Sequence, residues 1–61
     1  MSWYCLQYVS SYPGRPSNWA GPLHLDESEA GLWYQNAVES HPNQSVRLWK
    51  WTGGRWGAAY V

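Results

Sequence analysis

The sequence predicts a small α+β fold, in which a four-stranded antiparallel sheet carries one helix across one face. Two stretches indicate it: residues 25–42 have helical periodicity, and residues 46–61 contain two strand-like runs on either side of Gly53-Gly54. Two further strand-like runs precede the helix. The expected element order is therefore β-β-α-β-β, with strand order 2-1-3-4, in a single domain that spans residues 1–61.

The predicted helix has a recognisable start and end. Asp26, followed three residues later by Glu29, has the spacing of a capping box. Pro42 disfavours helical geometry at the residue before it, so we expect the helix to stop at His41. Apolar residues that recur at helical spacing define the stripe expected to face the core: Ala30, Trp33, Tyr34, Ala37 and Val38.

Two strands are predicted before the helix. Residues 3–11 are rich in β-branched and aromatic residues and contain no Gly or Pro. The loop that follows contains Pro13-Gly14, the order that a type II turn prefers. Residues 18–25 form a second strand. Pro22 cannot donate a ladder hydrogen bond, so this strand lies at an edge of the sheet or ends near Gly21.

The C-terminal run predicts a β-hairpin with Gly53-Gly54 as a two-residue turn of the type I′ class. In that register Trp51 faces Trp56 as a non-hydrogen-bonded pair. The hairpin then has an aliphatic face, Val46, Leu48, Ala59 and Val61, and an aromatic and cationic face, Arg47, Trp49, Trp51, Trp56 and Tyr60. We assign the aliphatic face to the helix and leave the aromatic face exposed with Trp3; the reverse assignment is the alternative.

The aromatic content points to a binding surface. Six Trp and five Tyr, with no Phe, occur among 61 residues. A domain this small buries only about 60% of its unfolded surface, so some of these side chains should lie outside, where a contiguous apolar patch marks an interface. The predicted partner-binding residues are Trp3, Arg47, Trp49, Trp51, Trp56 and Tyr60. The alternative is that these aromatic residues fill the core.

The charges cancel overall but are segregated along the chain. A formal net charge of zero gives no global attraction to nucleic acid or to an anionic membrane. All four acids lie on the predicted helix, and three of the four basic residues lie in the C-terminal strands. Cys5 is the single cysteine, so an internal disulfide is impossible. Residues 1–9 contain neither the basic segment nor the long apolar run of a signal peptide. We therefore expect a cytoplasmic protein.

The sequence contains no catalytic or metal-binding constellation. A metal site needs several Cys, His or carboxylate ligands at workable spacing, and the chain offers Cys5 with two distant histidines, His24 and His41. Gly53-Gly54 is a hairpin turn with no helix after it, unlike a phosphate-binding loop. We expect a protein that is not an enzyme and uses no cofactor.

The first functional hypothesis is a protein–protein interaction module on the outer sheet face, because Trp, Tyr and Arg dominate interface energetics. Its partner is a second copy, as a twofold dimer, or one larger protein. A short Trp-rich chain of this kind is similar in type to phage-encoded proteins that inhibit a host enzyme or defence system. The alternative is single-stranded nucleic-acid binding, in which aromatic residues stack bases and Arg47, Lys50 and Arg55 track phosphates.

A few residues resemble the pattern of GYF-type adaptor domains, a family that binds proline-rich peptides. They are Trp3-Tyr4 near the start, Gly21-Pro22 before the helix, and residues 46–49 with Trp56 after it. The Gly-Tyr-Phe stretch itself is absent, with residues 39–42 near where it would fall. The resemblance implies proline-rich peptide binding as a minor alternative, without assigning the chain to that family.

Overall fold

The computed structural model describes residues 1–59. Its elements, in chain order, are β1 (Ser2–Val9), β2 (Asn18–Leu25), α1 (Glu27–Ser40), β3 (Ser45–Thr52) and β4 (Arg55–Ala59). The four strands form one sheet in the order β2-β1-β3-β4 with antiparallel neighbours, and α1 packs on it. The structure confirms the predicted fold class, element order and strand order.

The hairpin of β3 and β4 has the predicted register, with Trp51 opposite Trp56. Gly53 and Gly54 have φ angles of 59° and 84°, as both central positions of a type I′ turn require. Two further predicted pairs, Arg47 with Tyr60 and Val46 with Val61, lie outside the described residues.

The core lies between α1 and the two central strands. Its large members come from β1 and β3: Tyr4, Leu6, Val46 and Leu48. The helix contributes Ala30 and Ala37, which are seven residues apart and therefore point in nearly the same direction. Among the described residues, Val46, Leu48 and Ala59 thus face the helix, and the aromatic residues of the hairpin lie on the opposite face, as predicted.

The buried stripe of the helix is narrower than predicted. Trp33 and Tyr34 are half-buried and pack against the core, but Val38 is 40% exposed. At 3.6 residues per turn, Val38 lies about 80° to 100° around the helix from the direction of Ala30 and Ala37. Its assignment to the buried stripe is therefore wrong, because the sheet meets only the centre of that stripe.

Asp26 caps the helix as predicted. Its Oδ1 accepts a hydrogen bond from the backbone N–H of Glu29 at 2.7 Å. At the other end, the backbone N–H of His41 donates to the carbonyl oxygen of Ala37 at 3.0 Å, and Pro42 follows. The helix thus begins and ends where the capping residue and the proline predict.

β1 is shorter than predicted and ends at Val9 instead of Ser11. Beyond it the chain turns, with the Ser10 hydroxyl accepting a hydrogen bond from the backbone N–H of Tyr12 at 3.2 Å. Gly14 has a φ of 81°, as the second central position of the predicted type II turn requires.

A bulge in β2 decides which of its side chains face away from the helix. Gln7 lies opposite Trp19 and Trp3 lies opposite His24, so four residue steps in β1 match five in β2. The irregularity falls at Gly21, which has a φ of 101° and is followed by a cis peptide bond. One extra residue reverses the side-chain alternation beyond it. Trp19 and His24 therefore lie on the same face as Trp3.

Replacement of Gly21 by alanine should lower the free energy of unfolding by about 2 kcal/mol or more. A Cβ atom there would lie 2.9 Å from the carbonyl oxygen of Tyr4 and 3.3 Å from the Trp33 ring, at a φ that disfavours alanine. Urea unfolding followed by circular dichroism measures the change.

Gly57→Ala is the matched control, because a Cβ atom at Gly57 meets nothing within 4 Å. We expect it to change the free energy of unfolding by less than about 0.5 kcal/mol. Equal losses in the Gly21 and Gly57 variants would contradict a structural requirement for glycine at the bulge.

Candidate interaction surface

The sheet face opposite α1 carries five of the six tryptophans. We call this surface the tryptophan face and define it as Trp3, Trp19, Trp49, Trp51 and Trp56. The exposed fraction is 58% for Trp19, 47% for Trp3, 41% for Trp51 and 38% for Trp56, whereas Trp49 on central strand β3 is half-buried. Within residues 1–59, the helix packs on the other face and no element covers the tryptophans.

Trp51 and Trp56 form the cross-strand pair that the hairpin register predicts. Their ring centroids are 5.3 Å apart and their planes are inclined at 63°, an edge-to-face geometry. Such a pair contributes about 0.5–1 kcal/mol beyond the burial of its rings. Trp56 belongs to edge strand β4 and lines a cleft together with Cys5 of β1.

A short chain of side-chain hydrogen bonds holds Trp49. Its Nε1 donates to Oε1 of Gln7 at 3.0 Å, and Nε2 of Gln7 donates to Oγ of Ser17 at 3.1 Å. Trp19 lies beside this chain, with its ring centroid 6.4 Å from that of Trp49. The polar Gln7 therefore has a structural role on the tryptophan face: its amide oxygen accepts the hydrogen bond of a half-buried indole N–H.

Two adjacent clefts open between the indoles. One has a volume of about 300 Å³ and is lined by Cys5, Trp19, Trp49 and Trp56. The other has a volume of about 310 Å³ and is lined by Trp3, Pro22, Trp51 and Trp56. Trp56 lines both clefts. Since these volumes are at the lower limit for ligand pockets, each cleft suits one or two side chains of a partner.

The polar groups that border the clefts offer little reactive chemistry. Cys5 is a free, half-buried thiol, and its burial raises its pKa, so that the neutral thiol prevails near pH 7. A neutral thiol is a poor nucleophile. His24 stacks on Trp3 with ring centroids 4.8 Å apart. The surface is therefore suited to apolar and aromatic contact.

Little charge lies on the tryptophan face. Alternation along β3 places Arg47 on this face and Lys50 on the helix side, where Lys50 pairs with Tyr4. Arg55 directly precedes Trp56, so alternation places it on the helix side as well. Among the strand residues that the structure describes, Arg47 is thus the one Lys or Arg on the tryptophan face.

The structure brings four of the six predicted binding residues together: Trp3, Trp49, Trp51 and Trp56. Arg47 is exposed on the same face, and Tyr60 lies outside the described residues. Trp19 and Pro22, which were not among the predicted binding residues, also line the clefts. The missed signal was Gly21, since a glycine inside a strand often marks a bulge, and the bulge sets the direction of Trp19.

Neither a metal site nor a membrane-spanning helix accompanies this surface in the described part of the chain. Residues 1–59 contain no group of three His, Cys, Asp or Glu side chains placed to hold a metal ion. No helix among them is long and apolar enough to cross a membrane. Comparison with protein-family models, with curated proteins and with solved structures finds no match.

Replacement of Gln7 by leucine should lower the free energy of unfolding by about 1–2 kcal/mol, because the half-buried indole N–H of Trp49 loses its acceptor. Urea unfolding followed by tryptophan fluorescence measures the loss. Ser17→Ala is the control, since it removes the outer hydrogen bond and leaves the bond to Trp49 in place. A Gln7→Leu variant as stable as Ser17→Ala would contradict this role of Gln7.

Proposed function

We propose that the chain is a non-enzymatic protein–protein interaction module that binds through the tryptophan face. The observation that carries this proposal is a contiguous set of exposed indoles on a sheet face that no described element covers. Trp is among the residues most enriched in the hot spots of interfaces. Packing of the core accounts for Trp33 and in part for Trp49, but it gives no reason for four indoles exposed by 38–58%.

The distribution of charge favours protein over single-stranded nucleic acid as the partner. A nucleic-acid surface combines exposed aromatic rings with cations that follow the phosphates. Here Lys50 and Arg55 lie on the helix side, and Arg47 is left as the cation beside the indoles. A face with one cation releases few counterions, so electrostatics would add little affinity for a phosphate backbone.

The proposed interaction has one specific form that the two clefts favour. In it, the partner presents an extended or proline-rich segment. Polyproline II segments dock in grooves lined by aromatic side chains. The clefts are adjacent, share Trp56 as a wall and have similar volumes of about 300 and 310 Å³. This shape supports recognition of two neighbouring apolar side chains.

We further propose that the module acts in the cytoplasm and inhibits a larger protein, as short phage-encoded inhibitors of host enzymes or defence systems do. The exposed apolar face supports this proposal, because such a face suits the blocking of another protein's surface. The unpaired Cys5 supports the compartment, because small secreted domains are usually rich in disulfides.

Replacement of Trp19 by glutamate should weaken the binding of a partner by at least about 30-fold while the domain stays folded. Trp19 is the most exposed tryptophan of the face, so its replacement removes apolar contact and adds a charge without opening a cavity in the core. The tagged wild type and variants are used to capture partners from a bacterial lysate. Any stoichiometric partner is then purified, and its Kd is measured by calorimetry.

Tyr12→Glu is the matched control, because Tyr12 is 67% exposed in the loop between β1 and β2, outside the tryptophan face. We expect Tyr12→Glu to bind the purified partner as the wild type does, and Trp19→Glu to bind at least about 30-fold more weakly. Equal binding by two folded variants, or the absence of any stoichiometric partner, a second copy of the chain included, would contradict the proposed function.

A further inference from the structure

We infer that the occupant of the tryptophan face is a second copy of this chain, and that two copies pack face to face around a twofold axis. This inference rests on the proposed function, because it uses the same surface. It goes further by naming the partner: a second copy occupies the face, and a larger protein would bind there only by displacing it. Four properties of the described residues support it: the exposed area, the shape of the face, its charge and the thickness of the domain.

The exposed indoles provide much of the area that a stable dimer needs. A whole indole side chain has about 250 Å² of accessible surface, so the exposed fractions of Trp3, Trp19, Trp51 and Trp56 leave roughly 450 Å² in contact with water. A standard interface buries about 800 Å² on each partner. Four side chains thus supply more than half of that area. Further exposed residues on the face can supply more: Pro22, His24 and Ala58.

The shape of the face is compatible with itself. In a twofold interface, each surface element meets a different element of the same surface on the partner. The tryptophan face carries both kinds of element, since exposed indoles border two clefts of about 300 and 310 Å³. An indole of one copy can therefore enter a cleft of the other.

The charges permit close approach of two copies. No carboxylate lies in the strands that the structure describes, because all four acids belong to α1 or its cap. Arg47 is the strand cation on the tryptophan face, and it is exposed to solvent. A twofold axis that runs across the strands places the two Arg47 side chains at opposite ends of the interface. Apart from Arg47 the face is uncharged, so no cluster of like charges opposes the contact of two copies.

The domain has the thickness of two layers, and its sheet is bare on one side. The Cα atoms span 33 × 24 × 16 Å, which fits one helix layer on one sheet layer. Two sheets pack face to face about 10 Å apart. Two copies joined through the tryptophan face would form a helix–sheet–sheet–helix sandwich. Both faces of each sheet would then be covered.

Light scattering after size-exclusion chromatography tests this inference on the wild type and the two glutamate variants. We expect the wild type to have about twice its monomer mass of 7.0 kDa, and to dissociate on dilution. Trp19→Glu should raise the Kd of the dimer by about 30-fold or more, whereas Tyr12→Glu should leave it unchanged.

Cys5 provides a second readout that needs no substitution, because it lines one cleft and is the single cysteine. Its alkylation by a bulky maleimide should slow by about tenfold or more as the protein concentration rises through the Kd of the dimer. Concentration-dependent protection of Cys5 together with a dimer sensitive to Trp19→Glu supports the inference.

Two results would overturn it. A wild type that stays monomeric up to about 1 mM has no meaningful affinity for itself. A dimer that leaves Cys5 equally reactive, or that tolerates Trp19→Glu, uses another surface such as the β4 edge. In either case the proposed function is decided separately, by whether the purified partner discriminates between Trp19→Glu and Tyr12→Glu.

Discussion

The pairing of Leu6 with Leu48 determines which residues of the sheet face the helix and which face outward. These two side chains lie opposite each other on the central strands and are the largest that are fully buried. Their position fixes the register of β1 against β3, and a slip by one residue would exchange the two faces of the sheet. Because Leu6 and Leu48 face the helix, their neighbours in the chain face outward. Cys5, Gln7, Arg47 and Trp49 therefore line the opposite side.

The core around Leu6 and Leu48 is small, and this leaves apolar side chains exposed on the other face of the sheet. The buried apolar core among residues 1–59 has six members, and two of them are alanines of the helix. Within residues 1–59, one helix covers one side of the four-stranded sheet, and no element covers the tryptophans on the other side. Exposed apolar patches of several hundred Å² on small domains commonly mark interfaces. The acids lie on the helix layer, on the side of the domain away from the tryptophan face. They therefore do not add charge to the tryptophan face.

The features that the sequence predicted correctly are those with local signals. The hairpin register follows from two adjacent glycines, the helix start from Asp26, and the helix end from Pro42. The outward direction of Trp49, Trp51 and Trp56 follows from the same register. The strand order 2-1-3-4 could be predicted from the sequence. Short connections, together with Pro22 in a strand suited to the edge, leave few possible orders of the four strands.

The features that the sequence did not predict depend on tertiary geometry. Trp19 reaches the tryptophan face because the bulge at Gly21 shifts the alternation of β2, and no local pattern states how the strand resumes. Val38 is exposed because the contact of the helix with the sheet is narrow, at Ala30 and Ala37. The hydrogen bond between Gln7 and Trp49 joins residues that are 42 positions apart.

The central claim is that four tryptophans belong to a surface and not to the core. Fluorine NMR of the 5-fluorotryptophan protein, with resonances assigned by single Trp→Phe substitutions, tests it most directly. In dilute solution, the resonances of Trp3, Trp19, Trp51 and Trp56 should shift on transfer from H₂O to D₂O by more than those of Trp33 and Trp49. Equal, small solvent shifts for all six tryptophans in the monomer would show that the outer indoles are packed inside, and would contradict the account.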